Sequence, residues 1–190
     1  PLQMKVVKRR ALDSEILSVH SLSHLNKIKA LPTLTRNSQT QLSFPEDPDM
    51  IFSYKTEEAA RNTGGIVFEG VDGILSKNYP NAFALVRPPG HHASKDISMG
   101  FCFFNNVALG ALYALNQYPQ KIKKVLIVDW DVHHGNGTQN IVKNHPHIFY
   151  FSVHLQGIYP GNPSEEDMIT PNIMSIPILP NTKRKEQVYE

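Results

Sequence analysis

The sequence has only one cysteine, Cys102, among its 190 residues, so no disulfide can form within the chain. Such sparse cysteine use fits a reducing intracellular compartment, where disulfides are rare. An apolar run of the roughly 20 residues that a membrane-spanning helix needs is also missing. The N-terminus has no secretory signal pattern. We therefore predict an intracellular protein without a membrane-spanning segment.

An excess of charge of either sign is missing as well, because 19 lysines and arginines stand against 17 aspartates and glutamates. This near balance gives no electrostatic reason to expect direct binding to nucleic acid. Neither internal repeats nor low-complexity segments occur in the sequence. A chain of 190 residues suits one domain with a sizeable core. We predict a single domain over residues 1–190.

Helix and strand patterns alternate along the chain, which is typical of an α/β fold with a mainly parallel sheet. A stretch rich in Pro, Ser, Thr and Asn predicts an irregular loop over 32–49. Apolar periodicity predicts helices over 11–30, 56–76, 107–115, 138–143 and 183–190. Apolar runs predict strands over 82–86, 125–128, 147–154 and 175–180.

The stretch 125–137 organises the rest of the chain. Its four aliphatics predict a strand buried on both faces. Alternate side chains of a strand share a face, so Asp129, Asp131 and His133 would point the same way if the strand continued. Ligands of open α/β sheets bind at the strand tips, where a carboxylate and an imidazole suit zinc. The alternative interpretation is that these are capping or turn residues, although unpaired polar groups in a buried crevice are costly.

Two further strand ends carry polar or aromatic residues. The strand predicted over 82–86 leads into Arg87-Pro88-Pro89-Gly90-His91-His92, where the prolines and the glycine stiffen a loop. Such a loop is a good platform for general acid and base groups. The strand predicted over 147–154 leads into a tight loop that contains Tyr159. We expect the three strand tips to converge on one site.

Three smaller predictions concern packing. Gly64-Gly65 lowers helix propensity within 56–76 and can let this helix approach a neighbour closely. Asn105 or Asn106 can cap the helix that follows. Cys102 lies among aromatic residues, which favours a buried, inert thiol over a nucleophile.

Three segments in series resemble the zinc-dependent histone deacetylase family: 87–93, 100–105 and 128–138. The motif Asp-Trp-Asp-Val-His-His-Gly-Asn-Gly is similar to that of the class II branch. The resemblance covers about residues 11–165, and several long motifs in register make it specific. It implies an arginase/deacetylase-like α/β fold, with a mainly parallel sheet flanked by helices on both faces in three αβα layers.

The resemblance assigns metal-binding roles to matched positions. It implies that Asp131 and His133 are two of the family's three zinc ligands. The family's potassium-binding segment also includes both residues, together with Asp129, Ser152 and Val153. The expected cofactors are therefore Zn²⁺ and K⁺.

Catalytic roles follow from the same resemblance. His91 and His92 match the family's tandem histidines, which act on the metal-bound water and on the leaving amine. Asp129 matches the carboxylate that supports the first histidine, and Asn136 occupies the position of the Asp or Asn behind the second. A carboxylate raises the basicity of its imidazole, whereas an amide orients a ring without charging it. We therefore expect the two histidines to act unequally.

The substrate positions implied by the resemblance are Gly100, Phe101 and Tyr159. Phe101 and Tyr159 match the two aromatics of the acyl-lysine tunnel, and the second of these is often Phe in the family. Burial of the lysine methylenes between two facing rings would stabilise the bound substrate by roughly 0.8 kcal/mol for each methylene. An acetyl-lysine side chain, which is a long neutral amide, suits such a tunnel.

The implied activity is zinc-dependent hydrolysis of acetyl-lysine in histones or other proteins, in the nucleus or cytoplasm, with a role in chromatin and transcription regulation. A metal-activated water would attack the amide, with the histidine pair as general base and acid. Corepressor-type protein partners are expected. One alternative is a hydrolase of acetylated polyamines or other small amides. Another is a non-catalytic scaffold.

The sequence departs from the family at two positions. The third zinc ligand of the family is an Asp on a later loop, and its transition-state-stabilising Tyr comes later still. Neither motif occurs, and Asp167 is expected to be solvated. We therefore expect a truncated catalytic domain that lacks its first segment and its C-terminal portion, which another chain could supply. Alone, the chain is expected to bind zinc weakly and to show little hydrolysis.

Overall fold

The computed structural model describes residues 3–36, 42–45, 47–161, 163–164 and 169–181. In this part of the chain, no helix is long and apolar enough to span a bilayer. The helices are α1 (Asp13–Ile16), α2 (Leu22–Thr35), α3 (Thr56–Leu75), α4 (Asn106–Gln117) and α5 (Asn136–Val142). The strands are β1 (Leu42–Phe44), β2 (Asp47–Phe52), β3 (Val125–Asp129), β4 (Ile148–Leu155), β5 (Ile169–Thr170) and β6 (Ile173–Ile178).

The main sheet has the strand order β3-β4-β6-β5. β3 pairs with β4 in parallel, with Asp129 opposite Ser152, and β4 pairs with β6 in parallel. Only β5 is antiparallel to its neighbour. Helix α5 connects β3 to β4, as expected for a parallel pair. The predicted α/β class with a mainly parallel sheet is confirmed, and the carboxyl ends of β3 and β4 lie at the same edge.

The hydrophobic core lies between this sheet and the helices. α3 and α4 pack together, and buried residues of both helices, including Phe68 and Leu109, join one cluster with Ile127 and Tyr150 of the sheet. Helix α5 contacts the same face, where Oε1 of Gln139 accepts a hydrogen bond from Ser175 of β6 at 2.9 Å. This packing fixes the start of α4 and of α5 next to the tip of β3.

The opposite face of the sheet is apolar and largely exposed. Leu126 is 61% exposed and Val128 is 46% exposed, and Phe149 and Met174 lie on the same face. The prediction that 125–128 is buried on both faces is therefore wrong. In the described part of the chain β3 is an edge strand, and α4 and α5 lie on its other face. Within these residues, helices cover one face of the sheet, which accounts for two of the three predicted αβα layers.

Two local predictions are wrong. Residues 82–86 form no strand, and Phe83 and Leu85 are 86% and 83% exposed. An apolar run indicates a strand only where a neighbour is available to pair with it, and the described residues offer none here. The loop predicted over 32–49 contains the end of α2 and much of the antiparallel hairpin β1–β2. Burial of Phe44 and Phe52, whose rings lie 4.9 Å apart, outweighs the local turn signals.

Other predictions lie partly outside the described residues. The helix predicted over 183–190 and the solvated position of Asp167 cannot be compared with the structure. The glycine pair of α3 can be compared, and close approach is confirmed. A Cβ atom on Gly65 would lie 2.1 Å from the carbonyl oxygen of Arg9. The extended segment around Arg9 therefore lies directly on α3, where its guanidinium binds Asp72 at 2.7 Å.

Acid is expected to destabilise the fold through His20. This residue is 2% exposed, and its Nε2 accepts the backbone N–H of Asn105 at 2.9 Å, which requires a neutral ring. Burial and the neighbouring His24 lower the pKa of His20 to about 3. An unfolded histidine titrates near 6.5, so between these values the unfolded chain binds more protons and stability falls as pH falls. The loss approaches about 1.4 kcal/mol per pH unit for this group.

Chemical denaturation at pH 7 and pH 4.5 measures this effect. His20→Gln keeps an acceptor for Asn105 but cannot be protonated, so the variant should lose less stability than the wild type over that interval. His92 and His154, whose pKa values burial also lowers, will cause part of the loss of unfolding free energy between pH 7 and pH 4.5 in both proteins. An equal loss in wild type and variant would show that His20 does not contribute.

Candidate active site and metal centre

Three segments that follow strands or predicted strands meet at one place. Nδ1 of His91 lies 3.1 Å from Oδ2 of Asp129 at the tip of β3, which joins the first segment to the second. Nδ1 of His92 lies 2.8 Å from Oδ1 of Asn136 at the start of α5. The ring of Tyr159, which follows β4, stands edge-on to His92 with centroids 5.1 Å apart. The structure thus brings together the residues that the sequence placed on separate tips.

Asp131 and His133 reach the site by a turn rather than along a strand. β3 ends at Asp129, so the condition under which Asp129, Asp131 and His133 would share one strand face is not met. Oδ1 of Asp129 accepts the N–H of Asp131 at 3.2 Å, and Oδ1 of Asp131 accepts the N–H of His133 at 2.8 Å. These side-chain-to-backbone bonds are turn chemistry, and they bend the chain towards α5. Both side chains still face the histidine pair.

The donor atoms of Asp131 and His133 lie side by side. Nδ1 of His133 is 3.0 Å from Oδ1 of Asp131, and Nε2 of His91 is 4.0 Å from the same oxygen. A carboxylate and an imidazole fit zinc, which in catalytic sites takes three protein ligands and a water. Among the described residues, no group of three or more His, Cys, Asp or Glu side chains is arranged to hold a metal ion. The zinc role of Asp131 and His133 stays a prediction.

Asp129 serves two partners with one oxygen. Its Oδ2 lies 3.1 Å from Nδ1 of His91 and accepts the hydroxyl of Tyr150 at 3.0 Å. Burial opposes ionisation of Asp129, but its hydrogen bonds and its electrostatic interaction with the imidazole of His91 outweigh burial, and the net result is a lowered pKa. A charged Asp129 keeps the proton of His91 on Nδ1. A Cβ on Gly135 would lie 2.3 Å from Oδ2 of Asp129, so only glycine fits there.

Tyr150 was missed by the sequence analysis. It is fully buried and donates to Asp129, and its hydroxyl is also 3.2 Å from the carbonyl of Gly135. The available signal was its position in β4, because Tyr150, Ser152 and His154 alternate on the face that packs against the helices. Polar groups on a buried strand face need partners, and one of those partners is the site carboxylate.

His92 is held by an amide instead of a carboxylate. Nδ2 of Asn136 donates to Sδ of Met99 at 3.1 Å, which turns Oδ1 of Asn136 towards Nδ1 of His92. The proton of His92 therefore lies on Nδ1, and Nε2 is left as the basic atom. Burial and the neighbouring His91 lower the pKa of His92 to about 4. A neutral imidazole with a free Nε2 can accept a proton at neutral pH.

The two imidazoles lie close together with matching tautomers. Their ring centroids are 4.0 Å apart, and each ring directs Nδ1 towards its own acceptor. Both Nε2 atoms are consequently available for general acid or base catalysis, which needs groups within hydrogen-bond reach of the reacting atoms. The two rings differ in charge environment, because only His91 faces a carboxylate.

The predicted substrate positions surround the rings. A Cβ on Gly100 would lie 2.4 Å from the ring of His92 and 3.0 Å from that of Tyr159, so the missing side chain lets these two rings pack. Phe101 is 57% exposed and has φ +66°, an uncommon conformation for a bulky residue. Its N–H donates to Sδ of the buried Met50 at 2.9 Å. A tunnel between Phe101 and Tyr159 stays a prediction.

The predicted potassium residues lie at the same sheet edge. Asp129 and the fully buried Ser152 are paired across β3 and β4, and Val153 follows Ser152. Oγ of Ser152 is 3.1 Å from Nδ1 of the buried His154. Their potassium role stays a prediction. Cys102 is completely buried, as predicted, and burial raises the pKa of its thiol to about 12, which disfavours the reactive thiolate.

Known proteins resemble this chain in sequence. The profile of the histone deacetylase domain matches residues 2–189. The chain is 37% identical over 164 residues to histone deacetylase HDA1 of Candida albicans, with 85% of the chain and 20% of that protein covered. It is 38% identical over 162 residues to polyamine deacetylase HDAC10 of Danio rerio, with 83% and 23% covered.

A solved structure shows the same fold. The crystal structure of the HDA15 HD domain matches with a TM-score of 0.80 and 34% sequence identity, covering 90% of this chain and 48% of that one. The chain thus spans about half of that domain and a smaller share of the two relatives. The family profile covers nearly every residue, including all the site residues described above. The chain belongs to the histone deacetylase family.

Proposed function

We propose that this chain forms part of the active site of a zinc-dependent protein lysine deacetylase. The observation that carries the proposal is the histidine pair, in which each Nδ1 has its own acceptor and each Nε2 is left basic. Asp131 and His133 lie beside this pair with their donor atoms 3.0 Å apart. A purely structural role would not require two basic imidazoles next to two potential metal donors.

Asp131 and His133 would hold the zinc ion together with a donor from outside the described residues. Bound zinc would polarise the amide carbonyl and lower the pKa of a water molecule. Nε2 of one histidine of the pair would take a proton from that water, and the imidazolium formed in this way would give the proton to the leaving amine. Asp129 and Asn136 keep both rings in the tautomer that this transfer needs.

The substrate side is proposed from the aromatic residues. Tyr159 lies against His92 and His133, and Phe101 stands on the neighbouring loop with its ring mostly exposed. Two such rings would shield the methylenes of an acetyl-lysine from water. We further propose K⁺ bound near Asp129, Ser152 and Val153, corepressor-type partners, and action on histones or other proteins in the nucleus or cytoplasm.

A second candidate substrate is an acetylated polyamine. Its support is the similarity to polyamine deacetylase HDAC10 of Danio rerio. A non-catalytic scaffold is the third reading, supported by the presence of only two metal donors among the described residues. The protein deacetylase and polyamine deacetylase hypotheses share the same site chemistry and differ in which acetylated substrate enters the tunnel. The scaffold hypothesis predicts no turnover of either substrate.

Metal content and turnover test the proposal. The purified deacetylase that contains this chain should bind one zinc per site and hydrolyse an acetyl-lysine peptide faster than an acetylated polyamine. The 190-residue chain alone should be much less active, because catalytic zinc sites use three protein ligands. Faster turnover of the polyamine would select the second candidate. A protein that binds no zinc and hydrolyses neither substrate would support the scaffold.

A further inference from the structure

Two consecutive asparagines at the start of α4 contact both ends of the histidine loop, which we define as residues 87–93. Nδ2 of Asn106 donates to the carbonyl of Pro88 at 3.2 Å, and Nδ2 of Asn105 donates to the carbonyl of Ala93 at 3.0 Å. These two carbonyls bracket the histidine pair. We propose that Asn105 and Asn106 are positioning residues that fix both catalytic imidazoles. The proposal rests on the deacetylase function proposed above.

Asn105 cannot shift without losing partners. It is completely buried, and its backbone N–H donates to Nε2 of His20 at 2.9 Å. Its Oδ1 accepts the N–H of Ala108 at 3.1 Å, and Nδ2 also donates to the hydroxyl of Thr138 at 3.1 Å. A buried polar group that loses its partner is costly to leave unsatisfied. The amide is therefore locked in one orientation.

The histidine loop also touches the start of α5. The N–H of Thr138 donates to the carbonyl of His91 at 3.0 Å. A Cβ on Gly137 would lie 2.4 Å from the carbonyl oxygen of Ala93, and one on Gly90 would lie 2.5 Å from the backbone nitrogen of Asn106. The loop backbone is thus in direct contact with two helix N-termini. Rigid elements therefore set the position of the histidines, although the loop itself has no regular structure.

Helix capping alone does not require an asparagine at this position. Asp or Ser accepts the N–H of a helix start as well as Asn does. The donated bond to Ala93 requires the amide nitrogen, and a carboxylate in its place would face a carbonyl oxygen. At position 106 an acid in the first turn of α4 is favoured by the helix dipole. Asn106→Asp therefore removes the bond to Pro88 while the helix is retained.

Three Asn→Asp variants test the proposal. Asn105→Asp and Asn106→Asp remove donors to the histidine loop. Asn172→Asp is the matched control, since Nδ2 of Asn172 donates to the carbonyls of Val142 at 2.7 Å and Ile148 at 2.8 Å, in the connection between α5 and β4. In the zinc-loaded deacetylase, kcat on an acetyl-lysine peptide should fall about 10–100-fold for positions 105 and 106, with KM changed less than about threefold. The control should keep kcat within about threefold, even where its unfolding free energy falls equally.

A second measurement does not depend on activity. The imidazole ¹⁵N resonances of His91 and His92, recorded on the metal-free deacetylase, should shift in Asn106→Asp and stay in place in Asn172→Asp. Unshifted resonances, or a kcat for Asn106→Asp equal to that of the control, would overturn the positioning role. Should Asn105→Asp fail to fold, Asn106→Asp alone carries the test. A wild type without turnover would contradict the proposed function, and the resonances would still decide the positioning role.

Discussion

Replacing Asp131 with asparagine, or His133 with alanine, is expected to lower zinc affinity by about 10²–10³-fold and to abolish deacetylation. Structural zinc in small peptides is bound with about 10–16 kcal/mol by four ligands, so one ligand contributes about 2.5–4 kcal/mol. Asp131→Asn is the sharper variant, because an asparagine oxygen can still accept the N–H of His133, which Oδ1 of Asp131 accepts at 2.8 Å. The turn should therefore persist while the charge that zinc needs is lost.

Metal titration followed by competition with a chelator measures this loss. His147→Ala is a suitable control, since His147 is an exposed histidine directly before β4, at the end of that strand far from the site. The control should keep the affinity of the wild type. Circular dichroism should show the same secondary structure in all three variants. Unchanged zinc affinity in both site variants would mean that the metal binds elsewhere.

The sequence predicted the site better than it predicted the strand that precedes it. The residues at the tip of β3 were identified from the abrupt change from aliphatic to polar residues. They do not lie along one strand, because β3 ends at Asp129 and turn hydrogen bonds place Asp131 and His133. Residue type and strand position determine which side chains meet. The path of the backbone between them depends on local hydrogen bonds that periodicity does not reveal.

The errors in the fold share one physical cause. The apolar runs at 82–86 and 125–128 both look like strands buried on two faces, but burial needs neighbours that a local pattern cannot supply. In the described residues Leu85 is 83% exposed and Leu126 is 61% exposed. Conversely, the polar segment before α3 forms the hairpin β1–β2, because Phe44 and Met50 enter the core. In all three segments, tertiary contacts rather than the local sequence pattern determine the structure.

Tyr150 shows what single-residue reasoning leaves out. Its hydroxyl reaches Asp129 from β4, the strand that follows α5, and the register Ile127 opposite Tyr150 places it on the face that carries the site carboxylate. The sequence pattern predicted β4 but not its register against β3. The resemblance was therefore enough to predict Asp129 and Asn136 as partners of the histidines. The contact of Tyr150 with Asp129 depends on the strand register and could be found only in the structure.

Removing the imidazole of His92 is expected to lower kcat by about 10²–10⁴-fold, the usual contribution of a positioned general acid or base. His92→Ala should leave zinc binding intact, since neither ring nitrogen of His92 is placed as a donor beside Asp131. His91→Ala should also be strongly impaired and leaves the charge of the buried Asp129 without its imidazole partner. Single-turnover kinetics on an acetyl-lysine peptide, with zinc content as the control, separates loss of chemistry from loss of metal.

The pH dependence distinguishes the roles of the two rings. His92 faces the neutral amide of Asn136, and burial together with His91 lowers the pKa of His92 to about 4. Asn136→Asp places a negative charge at that position, which favours the protonated ring and raises its pKa by about 1–3 units. A base must be neutral to accept a proton, so the acid limb of kcat/KM should move to higher pH by a similar amount. An unmoved acid limb would show that His92 is not the base of the rate-limiting proton transfer, and that role would then fall to His91.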